Sequence, residues 1–179
     1  DKATKSDKFA NPKLPKCKGA ALQQTFGITP RVTNCPVKTP ITPGVTVNST
    51  LTTSDCELTD ENDDLVAYYD EYTFSANAGQ TLSVAMSSPN APEFDTYLIL
   101  LNPNNTVAGE NDDIQPGVNT NSRIPLSGSL TVSQTGTYAI LANGFDSEDV
   151  GPYSLTLTFG GAGATCPPTP IPISNGQTV

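Results

Sequence analysis

Residues 69–87 read YDEYTFSANAGQTLSVAMS, and this stretch decides the fold class. Apolar side chains occupy every second position on each side of a central turn, at Tyr72, Phe74, Leu82, Val84 and Met86. A period of two is typical of a β-strand that buries one face, and Asn77–Gly79 supplies turn residues between the two segments. The stretch therefore predicts two strands joined by a turn.

The same alternation continues along the middle of the chain, from about Val45 to Phe159. Turn residues separate the segments, and no segment shows the 3.6-residue period of an amphipathic helix. The predicted strands are Val45–Leu51, Tyr69–Ser75, Thr81–Ser87, Thr96–Asn102, Ser122–Leu126, Ser129–Ser133, Thr137–Asn143 and Pro152–Phe159. Several short strands separated by turns are typical of an all-β domain, either a sandwich or a barrel, which we place at 46–159.

Two segments of different composition flank this domain. Residues 1–45 contain six prolines and are predicted to form an extended arm. Within this arm, residues 22–32 show a period of two that predicts an assembly strand, yet the arm offers it no partner strand. Its apolar side chains are Leu22, Phe26, Ile28 and Val32. Residues 160–179 are Gly-rich and then Pro-rich, which predicts a second arm.

Charge is distributed unevenly over the 179 residues, whose net charge is −9. Residues 1–50 have a net charge of +6, whereas residues 51–179 have a net charge of −15 and a single base, Arg123. The acidic balance argues against a nucleic-acid partner. The chain has no His, which excludes triads that need an imidazole. The longest apolar run, Leu98–Leu101, is far too short for a membrane span.

Four cysteines and no C-x-x-C pair indicate two disulfides and an oxidising, extracellular compartment. Three pairings are compatible with the sequence. We expect Cys17 to pair with Cys35 inside the arm, and Cys56 to pair with Cys166 across the ends of the acidic domain. The chain begins at Asp1 and its single Met is internal, as expected of a processed secreted protein.

Acidic and amide side chains are grouped in the predicted loops, notably at 60–64, 110–113 and 146–149. Adjacent carboxylates repel one another, and either solvation or a hard cation relieves the repulsion. Calcium takes about six to eight oxygen ligands, which flexible acidic loops supply. The spacing matches no EF-hand, so charge alone favours a solvated acidic surface over a calcium site.

Two local triplets match the acceptor pattern for N-glycosylation. They begin at Asn48 and Asn104, and each has a hydroxyl residue two positions later. Both are candidate glycosylation sites in a secreted protein.

Six short motifs occur in order along the acidic domain. They are Asp70–Phe74, Ala78–Leu82, Phe94–Leu98, Asn111–Asp113, Gly136–Tyr138 and Gly151–Leu155. In this order and spacing they resemble the bacterial pre-peptidase C-terminal domain, over about residues 51–159. The resemblance implies a jelly-roll-like antiparallel β-sandwich that is secreted, non-catalytic and similar to collagenase collagen-binding domains. It also implies that any Ca²⁺ is bound by Asp70, Asp95, Asn111, Asp112 and Asp113.

Two hypotheses of function follow. In the first, the protein is a structural subunit of an extracellular filament or surface assembly, a head-to-tail homo-oligomer in which the arm of one copy adds a strand to the next. In the second, it is an accessory module of a secreted hydrolase that binds a polysaccharide or a fibrous protein through exposed tyrosines, for which Tyr68, Tyr69 and Tyr97 are the candidates. We favour the first, because the basic arm complements the acidic domain.

Overall fold

A computed structural model describes residues 35, 38–59 and 64–160, and this part of the chain forms eleven β-strands. Among these residues, no helix has the length and hydropathy of a membrane span. The strands are β1 (Lys38–Pro40), β2 (Thr46–Leu51), β3 (Cys56–Thr59), β4 (Leu65–Ala76), β5 (Thr81–Ser87), β6 (Thr96–Leu101), β7 (Val107–Asn111), β8 (Ser122–Ile124), β9 (Leu130–Thr131), β10 (Gly136–Gly144) and β11 (Gly151–Phe159).

The strands form two sheets that face each other. Sheet A has the order β1-β4-β10-β6-β7, and β3 pairs with the first part of β4. Sheet B has the order β2-β11-β5-β8, and β9 also pairs with β5. Every pairing is antiparallel except that of β1 with β4, which is parallel. The predicted all-β sandwich is confirmed.

The main core lies between the two sheets, at the inward positions of the alternating strands. Tyr138 and Ile140 of β10 are 0% exposed, and Leu155 and Leu157 of β11 lie in the same cluster from the opposite sheet. Phe74 stacks on Tyr138 with ring centroids 5.6 Å apart. Burying each large apolar side chain contributes roughly 1.5–3 kcal/mol, so these contacts hold the two sheets together.

The turn predicted at Asn77–Gly79 carries the chain from sheet A into sheet B. Gly79 has φ +89°, a conformation that side chains with a Cβ rarely adopt. The Gln80 amide donates to the Asn77 carbonyl at 3.0 Å and closes the turn. Glycine is therefore required at the point where the chain changes sheets.

A second apolar cluster lies on the outer face of sheet A, the face turned away from sheet B. We call it the outer cluster, and its members alternate along their strands with the inward core residues. Each member is at most 5% exposed. The outer cluster consists of Leu58, Tyr69, Ile99, Leu101 and Leu141.

Cys35 forms a disulfide with Cys56, and their Cα atoms are 5.2 Å apart. The predicted pairings of Cys35 with Cys17 and of Cys56 with Cys166 are therefore wrong, and Cys17 and Cys166 lie outside the described residues. The reason is that β1 and β3 follow one another along the same edge of β4. Lys38 pairs with Glu71 and Cys56 with Tyr69, so residue 35 comes beside the start of β3. Both paired cysteines pack against the outer cluster.

The outer face of sheet B is polar where the outer face of sheet A is apolar, and its outward side chains on β2, β11 and β5 are small and uncharged. Hydroxyl groups pair across its strands, as Thr46 with Thr156 at 2.9 Å and Ser87 with Ser154 at 2.8 Å. We call this surface the Ser/Thr face. It consists of Thr46, Asn48, Thr50, Thr81, Ser83, Ala85, Ser87, Pro152, Ser154, Thr156 and Thr158.

The domain begins earlier than predicted. Lys38–Pro40 forms β1 inside the predicted arm 1–45, and Ile41 is buried in the main core. The alternation also gave no prediction of β3 or β7. The predicted assembly strand 22–32 and residues 161–179 lie outside the described residues.

Candidate cation site and internal polar network

Three of the predicted cation ligands meet at one end of the sandwich. Asp95 directly precedes β6, and Asp112 and Asp113 directly follow β7. Leu98 of β6 pairs with Asn111 of β7, so the beginning of one strand lies beside the end of the other. A carboxylate oxygen from each aspartate lies within 4.8 Å of the other two.

Side-chain hydrogen bonds hold the loop that carries Asp112 and Asp113. The Asn111 amide group donates to the Asp113 carbonyl at 3.2 Å, and its oxygen accepts from the Arg123 main-chain N–H at 2.7 Å. The Ser122 hydroxyl donates to the Asp112 carbonyl at 2.7 Å. Because its carboxamide is engaged on both sides, we assign Asn111 to positioning this loop rather than to the ligand set.

The acidic loop at 146–149 lies against the same site. The Asp95 amide donates to the Asp149 carboxylate at 3.2 Å, and the Phe145 amide donates to the Asp95 carbonyl at 2.9 Å. A Cβ atom on Gly144 would overlap the Asp149 backbone, so glycine permits this close approach. A fourth carboxylate therefore stands next to the three clustered ones.

The chemistry of the donor set fits a hard cation. Asp95 and Asp113 are only 4% and 7% exposed, and neighbouring buried carboxylates are costly unless a proton or a cation neutralises them. All the clustered donors are oxygens, which suits Ca²⁺ and not a zinc site built on Cys or His.

Asp70 does not join this cluster. It accepts hydrogen bonds from the hydroxyl groups of Tyr153 and, at 3.4 Å, Ser49. The Tyr72 hydroxyl lies 2.8 Å from that of Tyr153 and donates to it, because the Tyr153 proton is directed at Asp70. Burial raises the pKa of the Asp70 carboxyl, and the hydrogen bond from Tyr153 acts in the opposite direction. We therefore reassign Asp70 from the cation ligands to an internal polar network that joins β4 to β2 and β11.

The sequence contained the signal for this correction. Asp70 lies two residues before Tyr72 and four before Phe74, so it shares their inward face in a strand. The alternation that predicted the strand also places Asp70 inside the sandwich, away from the loop that holds Asp112.

The tyrosines that we predicted to be exposed are not. Tyr69 is 1% exposed in the outer cluster, and burial raises its pKa to about 12. Tyr97 is half-buried, and its hydroxyl forms a hydrogen bond with Glu110. Tyr68 is also half-buried and packs against the main core. None of the three offers a free ring for stacking on a polymer.

The two candidate glycosylation sites are accessible. Asn48 is exposed on β2, and Asn104 is exposed in the turn between β6 and β7. The Thr106 hydroxyl donates to the Asn104 side-chain oxygen at 2.7 Å, which fixes the conformation of that triplet.

Comparison with known proteins gives one family and several solved structures. Residues 68–144 match the family described as bacterial pre-peptidase C-terminal domain. The pre-peptidase C-terminal domain of a Bacillus anthracis collagenase aligns with 13% identity and a TM-score of 0.47, covering 68% of this chain and 95% of that one.

Two periplasmic inhibitors of g-type lysozyme also align. The Aeromonas hydrophila protein has 15% identity and a TM-score of 0.43, covering 69% of this chain and 96% of that one. The Salmonella Typhimurium protein has 14% identity and a TM-score of 0.42, covering 69% of this chain and 100% of that one. The search of curated protein sequences gave no match. The family match and the order of the motifs agree over residues 68–144, so this part of the chain is similar to the bacterial pre-peptidase C-terminal domain.

Proposed function

We propose that the protein is a secreted, non-catalytic structural subunit of an extracellular filament, in which the arm of one copy adds a strand to the sandwich of the next. The observation that carries this proposal is the open edge of β2. Among the residues that the structure describes, Thr46–Leu51 pairs with β11 on one side only, in a register without a bulge. Its residues include neither Lys nor Pro, the residues that usually protect an exposed edge.

The other edges of the described sandwich are less suitable for strand addition. β1 is three residues long and contains Lys38 and Pro40, which hinder pairing with a further strand. β7 and β8 lie against each other across the opposite side, where Gly109 of β7 closely approaches the Ile124 side chain. The sandwich is thus nearly closed on the β7–β8 side and open at β2.

The donor in this proposal is the predicted strand 22–32, whose apolar side chains would pack at alternate positions beside β2. The arm is basic and the domain is acidic, which steers the encounter between two copies. A contact between one end of a copy and a different surface of the next does not close on itself, so it builds a filament. The Cys35–Cys56 disulfide anchors the arm to the domain and supports a location outside the cytoplasm.

We also propose that Ca²⁺ binds at Asp95, Asp112 and Asp113 and stabilises this end of the subunit. The test is the melting temperature in millimolar calcium and in chelator. Calcium at 100 times its dissociation constant stabilises a fold by about 2.7 kcal/mol, and Asp112→Asn should reduce the shift. Glu57→Gln, an exposed acid on β3, is the matched control that keeps it. The calcium proposal fails if the wild type shows no shift.

The filament proposal is tested by blocking the edge. The double variant Asn48→Lys with Thr50→Lys places two charges along the edge strand β2. The control, Thr158→Lys, places one charge on the same face but on β11, which has a neighbouring strand on both sides. Light scattering and negative-stain microscopy should show filaments for the wild type and Thr158→Lys, and few or none for the edge variant. Equal assembly by all three would refute addition at β2, and a monomeric wild type would refute the filament.

The Ser/Thr face favours one second candidate, an accessory module that binds a polysaccharide. The face is rich in hydroxyl groups and uncharged across β2, β11 and β5, so it can exchange hydrogen bonds with the hydroxyl groups of a polysaccharide. Sedimentation with cellulose, chitin or collagen separates the two candidates. A monomer that sediments with one of these polymers would support the accessory module.

A further inference from the structure

The outer cluster is buried in a single chain, although no strand among residues 38–59 and 64–160 lies over it. All eleven described strands belong to sheet A or sheet B, whose shared core is on the opposite side of sheet A. Leu141 is nevertheless 0% exposed and Tyr69 is 1% exposed. The outer face of a two-sheet sandwich stays in contact with water unless a further segment of chain covers it.

The same face carries buried polar atoms that have no hydrogen-bond partner among the described residues. They are both polar atoms of the Asn143 side chain, the Tyr69 hydroxyl and one carboxylate oxygen of Glu71. Asn143 is 1% exposed and lies between Tyr69 of β4 and Tyr97 of β6. Its carboxamide offers one acceptor and two donors in the plane of an amide, which suits the main chain of an extended segment. Buried polar groups of this kind are normally satisfied.

The chain itself enters the domain at this face. Cys35 packs against the outer cluster and is fixed there by its disulfide to Cys56. Val32, the last apolar residue of the predicted strand, precedes Cys35 by three residues. A segment tethered this closely has an effective concentration in the millimolar range at its own face, which favours docking within one chain.

We propose that residues 22–32 lie extended across the outer face of sheet A in their own chain, with Phe26 and Ile28 against the outer cluster. Charge is complementary, because Glu71 of β4 and Glu110 of β7 point outward on this face and Arg31 lies within the segment. One carboxylate oxygen of Glu71 already pairs with Lys38 at 2.8 Å, which leaves the other for a further donor.

This contact rests on the proposed assembly and goes beyond it. Before assembly, the donor strand 22–32 would be bound to the outer face of its own subunit. A free subunit then keeps residues 22–32 away from its neighbours. Strand addition requires their release from the outer face.

The test places a photo-crosslinking residue, p-benzoylphenylalanine, at Phe26 of the full-length protein with its disulfides intact. Unlabelled photoreactive chain is mixed at low concentration with an excess of ¹⁵N-labelled wild type and irradiated, and the crosslinked peptides are identified by mass spectrometry. We expect unlabelled acceptor peptides from β6 and β10. The same residue at Thr29, on the opposite side of the strand, is the control and should give several-fold fewer of these crosslinks.

Three results would overturn the proposal. Acceptor peptides from sheet B, or from 161–179, would show that residues 22–32 lie elsewhere. Acceptor peptides from β6 and β10 that carry only the ¹⁵N label would show that a second copy supplies the segment. An absence of crosslinks to β6 and β10 would show that the face has another cover. Filament formation by the wild type is scored separately, so failure of the assembly proposal leaves this test intact.

Asn143→Leu gives an independent readout. If the segment pairs with the Asn143 carboxamide, the variant loses these hydrogen bonds, its melting temperature falls and the Phe26 crosslink yield drops. If the carboxamide is buried without a partner, removing it raises the melting temperature and leaves the crosslinks unchanged. The second pattern would contradict docking of the main chain at Asn143.

Discussion

The internal polar network makes a prediction that combines stability with pH. Tyr153→Phe removes the hydroxyl that donates to the Asp70 carboxylate and accepts from Tyr72. A hydrogen bond to a charged group is worth about 1.5–3 kcal/mol, and one between neutral groups about 0.5–1.5 kcal/mol. For a domain of this size, 1 kcal/mol corresponds to roughly 3–6 °C in melting temperature. The two bonds together are worth about 2–4.5 kcal/mol, so at neutral pH the variant should melt roughly 6–27 °C below the wild type.

The cost of Tyr153→Phe should decrease on acidification. The hydrogen bond from Tyr153 lowers the pKa of Asp70 against the upward effect of burial, so losing it raises that pKa further. A variant with the higher pKa binds a proton in the folded state at a higher pH, and it recovers stability relative to the wild type as the pH falls through both values. The full difference is present above the two folded-state pKa values, and below them only neutral hydrogen bonds, those to Tyr72 and to protonated Asp70, are lost.

Urea denaturation of both proteins at a series of pH values measures this difference directly. The control repeats Tyr153→Phe in an Asp70→Asn background, where the partner does not titrate and the two neutral hydrogen bonds lost should cost about 1–3 kcal/mol at every pH. A cost for Tyr153→Phe that stays constant with pH in the wild-type background would refute the coupling to Asp70. A cost that rises on acidification would mean that the hydrogen bond from Tyr153 raises the pKa of Asp70, the opposite of the expected effect.

Three further predictions concern the fold. Peptide mapping without reductant should recover Cys35 linked to Cys56, and reduction should destabilise the domain by about 3 kcal/mol, the chain-entropy estimate for their separation of 21 residues. Gly79→Ala should cost about 1–2 kcal/mol in thermal unfolding because Ala is strained at φ +89°, whereas a null effect would contradict the turn. Leu141→Ala should cost about 2–5 kcal/mol although it lies outside the main core, and exposed Ser75→Ala should stay within about 0.5 kcal/mol.

Alternation predicted the long strands because tertiary packing and local pattern agree there. In β10 the inward Tyr138 and Ile140 contact the opposite sheet, and the buried face of a strand imposes the period of two. The same reasoning placed β5 and β11, each with three or more buried apolar positions.

Three strands had no such pattern. β1 contains three exposed residues, β3 has its apolar side chain on the outer face of sheet A, and β7 contains Gly109 in place of a packed side chain. These strands form because a neighbouring strand offers an unpaired edge. The residue pattern within one segment does not reveal where such an edge lies. The disulfide prediction failed for the same reason, since Cys35 and Cys56 meet only once β1 and β3 share the edge of β4.

The cation cluster shows a different limit. The family resemblance gave Asp95, Asp112 and Asp113 as candidates, whereas composition alone did not separate a binding loop from a solvated surface. What distinguishes them in the structure is the antiparallel pairing of β6 with β7, which brings the three carboxylates together at the strand ends. Asp70 was assigned to the same set by resemblance, and its inward position in β4 removes it.

The two proposals together constrain how assembly proceeds. In our proposal residues 22–32 cover the outer face, and their release would uncover Tyr69, Ile99 and Leu141 at roughly 1.5–3 kcal/mol for each large apolar side chain. Addition to β2 recovers net hydrogen-bond energy of about 0.5–1.5 kcal/mol per bond over a six-residue edge. The two terms are similar, so a single exchange is close to neutral, and copies should join only above a threshold concentration. A segment arriving from a neighbour that also covered the outer face would remove this penalty, and assembly would then begin without a threshold.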